Sequence, residues 1–378
     1  MRVVVASDKF KGSLTAADVA SALTAGIRRT APTVEVVPLP VADGGDGTLE
    51  AAASAGFERC PVTVTGPTGS PVATAYARRG GTAVVELADA SGLARLPDGP
   101  APREASTIGT GELIRSAVDA GCRDVVLGLG GSSSTDGGAG LLVGLGARIL
   151  DGRGHPVPPG GGGLGAAVEL DLAAVHRLLE GVTITIASDV DSPLTGGSGA
   201  AVVYGPQKGA DATDVQVLDQ ALVEWADLVT ATVGTDLRDH PGAGAAGGAG
   251  FGALVLGATL RSGIDTVLDL VGFDAVASGA DLVVTGEGSL DAQSLLGKAP
   301  MGVARAAARL GVPVVAVCGR SELAEPELRA AGFARTWALL DVEPDADQCL
   351  VRAADLLEDV GQDLGRSLPE LTRPDRVR

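Results

Sequence analysis

Five short apolar runs constrain this chain more than any other feature, because a helical pattern follows each of them. The runs fall at residues 3–6, 34–39, 282–285, 314–318 and 336–340, and they show little polar alternation. Strands covered on both faces read this way. The helical patterns lie at 16–29, 48–55, 302–310, 322–331 and 348–361. Two β-α units at the start of the chain and three at its end suit a five-stranded doubly wound sheet. The expected domain is therefore discontinuous, 1–60 plus 280–378, interrupted by an insertion at 61–279.

The insertion has another character. Residues 62–93 alternate across glycine and proline turns, as hairpins do. A helix at 111–120, a strand at 124–128, a glycine-rich loop and a helix at 139–150 follow. Strands at 183–187 and 201–204 and helices at 212–233, 251–262 and 264–271 complete a mixed α/β domain. The tract at 158–165 (PPGGGGLG) reads as a surface loop or short linker. The fold class is α/β, in two domains.

Charge narrows the function by exclusion. With 47 acidic and 29 basic side chains the formal charge is −18, which offers no basic field to nucleic acid or to an anionic membrane. Small anions could still be held by local cations, a metal or backbone amides. The stretch 241–260 has the length of a membrane span, but seven of its residues are glycine. The N-terminal run is too short for a signal-peptide core. Cys60, Cys122, Cys318 and Cys349 are scattered without a metal or disulfide spacing and read as reduced thiols. A soluble cytoplasmic protein is expected.

Only four of the 29 basic residues are lysines (Lys9, Lys11, Lys208 and Lys298), and the other 25 are arginines. Arg and Lys replace each other on a solvated face but not in a tight site, so each lysine carries information. All four sit in glycine-containing loops that follow expected strands or open helices. After the first strand, Asp8, Lys9 and Lys11 precede a Ser-Leu-Thr helix start whose free amides favour an anion. After the second, Asp43 and Asp46 flank glycines in ADGGDGT and could hold a metal or accept hydrogen bonds from hydroxyls.

In the insertion, Gly130, Gly131, Ser132, Ser133, Ser134, Thr135 and Asp136 form a loop between strand and helix whose composition suits a phosphate cradle. It is no Walker A loop. Asp189 follows the strand at 183–187, and Lys208 lies in the turn of YGPQKG. Glu287 and Asp291 end the third sheet strand, with Lys298 seven residues beyond Asp291. Acids for a divalent ion, lysines for phosphates and free amides are the parts of a phosphoryl-transfer site. The GAGAAG stretch at 242–247 satisfies the dinucleotide fingerprint but follows no strand, so it reads as the start of a closely packed helix. The three histidines form neither a triad nor a metal spacing.

Together SDKFKGS (7–13), ADGGDGT (42–48), GLGGSSSTDGGAG (128–140), ASDVDSPL (187–194), YGPQKGA (204–210), GAGAAGGAGFG (242–252) and TGEGSLDAQSLLGK (285–298) resemble the type-1 glycerate kinase family. The resemblance runs from residue 1 to about residue 319 in the family's order. It implies two α/β domains, one flavodoxin-like, with the active site in the cleft between them. It also implies phosphorylation of D-glycerate by ATP, with the 2-hydroxyl favoured as acceptor and Mg²⁺ as cofactor. D-glycerate and ATP are then the expected partners, a homodimer is an allowed assembly, and neither nucleic acid nor membrane is expected. An NAD-dependent dehydrogenase placed on 242–247 and a non-catalytic metabolite binder are the alternatives.

Within that reading the chemistry suggests roles. Lys9 or Lys11 would meet the glycerate carboxylate, and Asp8, Asp43 and Asp46 would line the substrate. Asp189 or Asp291 would accept the hydroxyl proton. Glu287, Asp43 or Asp136 would hold Mg²⁺ directly or through waters. The 130–135 loop, Lys208 and Lys298 would stabilise the triphosphate.

Overall fold

The computed structural model describes residues 1–372. The chain divides into two compact units, one of Met1–Asp43, Glu50–Gly56 and residues 263–372, the other of Gly44–Leu49 and Phe57–Ser262. In chain order the strands are β1 (Arg2–Ser7), β2 (Glu35–Pro38), β3 (Glu58–Thr65), β4 (Pro71–Arg79), β5 (Thr82–Glu86), β6 (Asp124–Gly128) and β7 (Arg148–Asp151). They continue with β8 (Ala167–Asp171), β9 (Thr183–Ala187), β10 (Thr259–Arg261), β11 (Leu282–Leu290), β12 (Val314–Ser321) and β13 (Phe333–Ala338).

The first unit is built on a parallel sheet of order β13-β12-β11-β1-β2. Counting these five along the chain gives 2-1-3-4-5, a common doubly wound order that binds ligands at the carboxyl edge where the order reverses. Val3 and Val5 point to one face of β1, Val4 and Ala6 to the other, and each set joins a separate buried cluster. The uninterrupted apolar run thus reflects burial on both faces.

Helix Ala16–Thr30 starts in a capping box, with Thr15 Oγ1 accepting from the Asp18 amide and the Asp18 carboxylate from the Thr15 amide. It packs on helix Ala353–Leu371 at a crossing that only glycine permits. A Cβ on Gly26 would lie 2.1 Å from the Glu358 carbonyl oxygen.

β11 and β12 run beyond their expected ends because they stay paired there, Ser289 opposite Arg320. The expected last helix is two, Ala346–Val351 and Ala353–Leu371. The units part after Gly56 and after Ser262, not at 60/61 and 279/280. Helix Gly263–Val271 therefore belongs to the first unit, where Ile264 and Val267 enter the core.

The second unit holds a six-stranded sheet of order β10-β9-β6-β5-β4-β3, parallel from β10 to β5 and antiparallel through β4 and β3. β7 and β8 form a separate pair. Three expectations are corrected here. The helix expected to reach residue 150 ends at Leu145, because Gly146 takes φ +111° and the chain turns into β7. Residues 201–204 are helical, within Ala200–Tyr204, with Ala200 and Ala201 buried and Val202 and Val203 exposed, a helical rather than an alternating pattern. The helix expected at 251–262 is Ala245–Val255, and β10 follows it.

Nor is the PPGGGGLG tract a linker. A Cβ on Gly161 would lie 2.1 Å from the Thr135 carbonyl oxygen, so the tract packs into its unit. Among the described residues no helix is long and apolar enough to cross a membrane.

Candidate active site

The carboxyl edge of the first unit's sheet gathers three acids. Asp8 follows β1, Asp43 follows β2, and Glu287 lies in β11, where parallel pairing sets Ser7 opposite Gly286. The Asp8 amide donates to the Gly286 carbonyl at 2.9 Å, and the Ser7 hydroxyl bridges the Asp8 and Gly286 carbonyls at 3.0 and 3.1 Å. Asp8 is 6% exposed. Its Oδ1 accepts the Lys9 amide at 2.6 Å and lies 3.8 Å from the Lys9 ammonium. Burial pushes the Asp8 carboxyl up to about 7, the Lys9 charge opposes this, and Asp43 and Glu287 add to it.

Glu287 is likewise raised by burial, against the pull of the Ser294 hydroxyl and Lys298. Its Oε1 is buried with no hydrogen-bond partner among the described residues, and so is the Thr285 hydroxyl. A buried acceptor left unpaired is costly unless a ligand completes it.

Asp291 behaves differently. Its Oδ1 accepts from the Gln293 amide at 2.8 Å and the Ser294 amide at 3.0 Å, and it lies 3.7 Å from the Lys298 ammonium. Burial pushes it up, but those amides and Lys298 outweigh burial and hold the carboxyl below its ordinary value. Such a group is a poor proton acceptor near neutrality. Lys11 is exposed.

In the second unit the glycine-rich loop after β6 is closely tied into its own unit. The Ser133 amide and hydroxyl both donate to the Ser91 carbonyl, at 3.0 and 2.8 Å. The Gly131 carbonyl accepts from Leu93. A Cβ on Gly130 would lie 2.4 Å from Gly45 Cα, and one on Gly131 would lie 2.2 Å from Asp46 Oδ1. These two glycines therefore serve loop-to-loop packing rather than open approach to a phosphate. The Ser134 and Thr135 hydroxyls are fully buried and have no partner among the described residues.

Asp136 does not suit the metal-binding role expected of it. It accepts from the Thr107 amide at 2.8 Å, the Gly138 and Gly140 amides at 3.2 Å each, and the Thr107 and Ser106 hydroxyls. Both oxygens are spent on holding the loop, although burial still raises the carboxyl. Lys208 is fully buried rather than set in an open turn, and its ammonium donates to the Ser134 carbonyl at 2.5 Å. Burial pushes it down to about 7, with the Asp136 charge opposing.

The GAGAAG stretch explains that burial. Ala246, Gly247 and Gly248 take left-handed backbone angles, and a Cβ on Gly247 would lie 1.9 Å from the Ser134 carbonyl oxygen and 2.8 Å from Lys208 Nζ. Asp189 is exposed after β9. His155, His176 and His240 are exposed as well.

One acid escaped the sequence reading. Glu86 ends β5, is 5% exposed, and accepts from the Gly47 and Leu49 amides. Its position at the carboxyl end of a parallel strand was the available signal, but it lies in a stretch that reads as hairpin. Among the described residues no group of three or more His, Cys, Asp or Glu side chains is arranged to hold a metal ion. Mg²⁺ asks for less, since one or two carboxylates commonly suffice beside phosphates and water. The unpartnered Glu287 Oε1 fits such a role.

Residues 3–369 match the glycerate kinase family. A glycerate kinase of Bacillus subtilis (strain 168) is 40% identical over 373 residues, covering 97% of this chain and 98% of that protein. A glycerate 2-kinase of Escherichia coli (strain K12) is 41% identical over 325 residues, 84% of this chain and 85% of its own. A crystal structure described as a candidate glycerate kinase 2 from Salmonella typhimurium LT2 superposes with a TM-score of 0.83 at 38% identity, covering 98% of each chain.

Proposed function

The chain belongs to the glycerate kinase family, which makes it a phosphotransferase, and from that premise we propose that it moves the γ-phosphoryl group of ATP to the 2-hydroxyl of D-glycerate. The observation that carries the mechanism is Asp8, a buried carboxyl held near neutrality beside Asp43 and Glu287. A general base works best when its pKa lies near the working pH. Asp8 takes the hydroxyl proton as the oxygen attacks phosphorus, the bond to the β-γ bridging oxygen breaks, and ADP leaves. Lys9 and Lys11 meet the glycerate carboxylate, while Asp43 and Asp46 accept hydrogen bonds from its hydroxyls.

The Ser134 and Thr135 hydroxyls hold the triphosphate, and Lys208 shapes the loop from behind through Ser134. Glu287 would hold Mg²⁺, which would neutralise charge on the phosphate oxygens. We read the first unit as flavodoxin-like from its strand order. The preference for the 2-hydroxyl is supported by the name of the Escherichia coli relative.

A coupled assay of ADP release with D-glycerate and Mg-ATP tests the reaction, and no ADP release overturns it. Enolase alone should then consume the product. A product that enolase ignores until a mutase is added places the phosphoryl group on the 3-hydroxyl.

A further inference from the structure

Glu86 has no counterpart among the groups just assigned, yet it is one of the most firmly tied carboxylates in the second unit. It ends β5, where parallel pairing sets it opposite Gly128, the residue that opens the glycine-rich loop. Its two oxygens both lie 3.1 Å from the Gly47 nitrogen, and Oε2 lies 3.0 Å from the Leu49 nitrogen. Gly47 and Leu49 bracket the start of helix Thr48–Ser54, so the carboxylate takes up N–H groups that the first helical turn leaves unsatisfied. The Thr48 hydroxyl closes the same turn from inside, donating to the Gly45 carbonyl at 2.7 Å.

The opposite side of this segment is held just as closely. A Cβ on Gly128 would lie 2.7 Å from the Gly44 carbonyl oxygen. Its equivalents on Gly130 and Gly131 would lie 2.4 Å from Gly45 Cα and 2.2 Å from Asp46 Oδ1. Residues 44–49 are thus gripped between one carboxylate and three glycines. The arrangement is electrostatically expensive, because Glu86 is almost fully buried and faces the like charges of Asp46 and Asp89. Asp89 is paired with Arg95 at 3.1 Å. An apolar residue closing β5 would avoid that cost but would leave the Gly47 and Leu49 amides without this acceptor.

We propose that Glu86 is a positioning residue for phosphoryl transfer, fixing the 44–49 segment so that Asp46 and the adjoining Asp43 are presented to the glycerate hydroxyls. The proposal rests on the assignment of those two acids to glycerate. Glu86 touches neither substrate; it acts through the Gly47 and Leu49 amides.

Glu86→Gln tests this with little change of shape, since an amide offers one acceptor oxygen where the carboxylate offers two and turns its NH₂ toward an N–H. In the full-length variant, hydrogen exchange at the Gly47 and Leu49 amides should rise tenfold or more. The KM for glycerate should rise about tenfold while the KM for ATP stays within twofold. Gly131→Ala disturbs the same segment from the other side and should give the same kinetic split, which keeps the proposal testable if Glu86→Gln folds poorly. Unchanged exchange at both amides overturns the clamp. A rise in the ATP KM instead of the glycerate KM, or general destabilisation with both KM values intact, overturns the positioning role. If wild-type protein releases no ADP with glycerate, the assigned function fails, and the exchange measurement still decides whether Glu86 holds the segment.

Discussion

Replacing Asp8 by Asn should make the protein more stable and less active, with a dependence on pH that follows from its burial. Asn keeps the size of the side chain and an oxygen for the Lys9 amide. Lifting the carboxyl from 3.8 to about 7 means that ionised Asp8 costs the folded state about 4 kcal/mol, at about 1.4 kcal/mol for each tenfold. That figure is already net of the Lys9 ammonium at 3.8 Å, which pulls the other way. A gain of about 4 kcal/mol corresponds to a rise in Tm of roughly 8–16 °C for units of this size.

The sign with pH is fixed. The folded carboxyl holds its proton more tightly than the unfolded one, so the contribution of Asp8 to wild-type stability falls as pH rises from 3.8 to about 7 and is level above. The advantage of the variant should therefore be small near pH 4 and complete above about pH 7. Calorimetric melts of both proteins in metal-free buffer across that range measure it, alongside turnover, which should fall by about 10²- to 10⁴-fold. A variant no more stable than wild type at about pH 8, or a gap that does not change with pH, refutes the burial argument. Full turnover refutes the assignment of the base.

Two other residues give separate tests. Lys208→Met removes both the ammonium that supports the Ser134 carbonyl and the cost of burying it, so Tm should move by only a few degrees. The KM for ATP should nevertheless rise about tenfold in steady-state kinetics, and an unchanged value would leave Lys208 a purely internal role. Asp189→Asn should retain turnover within about threefold if Asp8 is the base, whereas a loss of about 10²-fold or more would return that role to Asp189.

The first unit was legible because strands buried on both faces leave apolar runs that no surface element imitates, as at Val3, Val4 and Val5. The carboxyl-edge rule then pointed to Asp8, Asp43 and Glu287 without any structure. What the sequence hides is which neighbour each polar group meets. Asp8 and Asp291 both follow strands. Packing buries one and pushes it up to about 7, whereas the turn onto Gln293 and Ser294, with Lys298, holds the other below its ordinary value.

Gly130 and Gly131 look the same in a sequence whether they face a phosphate or the backbone of another loop. Lys208 reads as an open-turn cation because the residues that enclose it, Ser134 and Gly247, lie far away along the chain. Residues 201–204 misled for a simpler reason: four apolar residues are too few to separate a helix from a strand.

The pairing of β1 with β11 also sets an order of events during synthesis. Ser7 and its partner Gly286 are 279 residues apart, an interval a ribosome covers in on the order of 15–60 s. Through that time the apolar first strand has β2 available on one edge and nothing on the other, while the continuous stretch from Phe57 to Ser262 already contains its own sheet partners. The second unit can therefore mature before the first does. Until β11 emerges, the nascent N-terminus is an open strand edge of the kind that chaperones cover and that neighbouring chains on a polysome can capture.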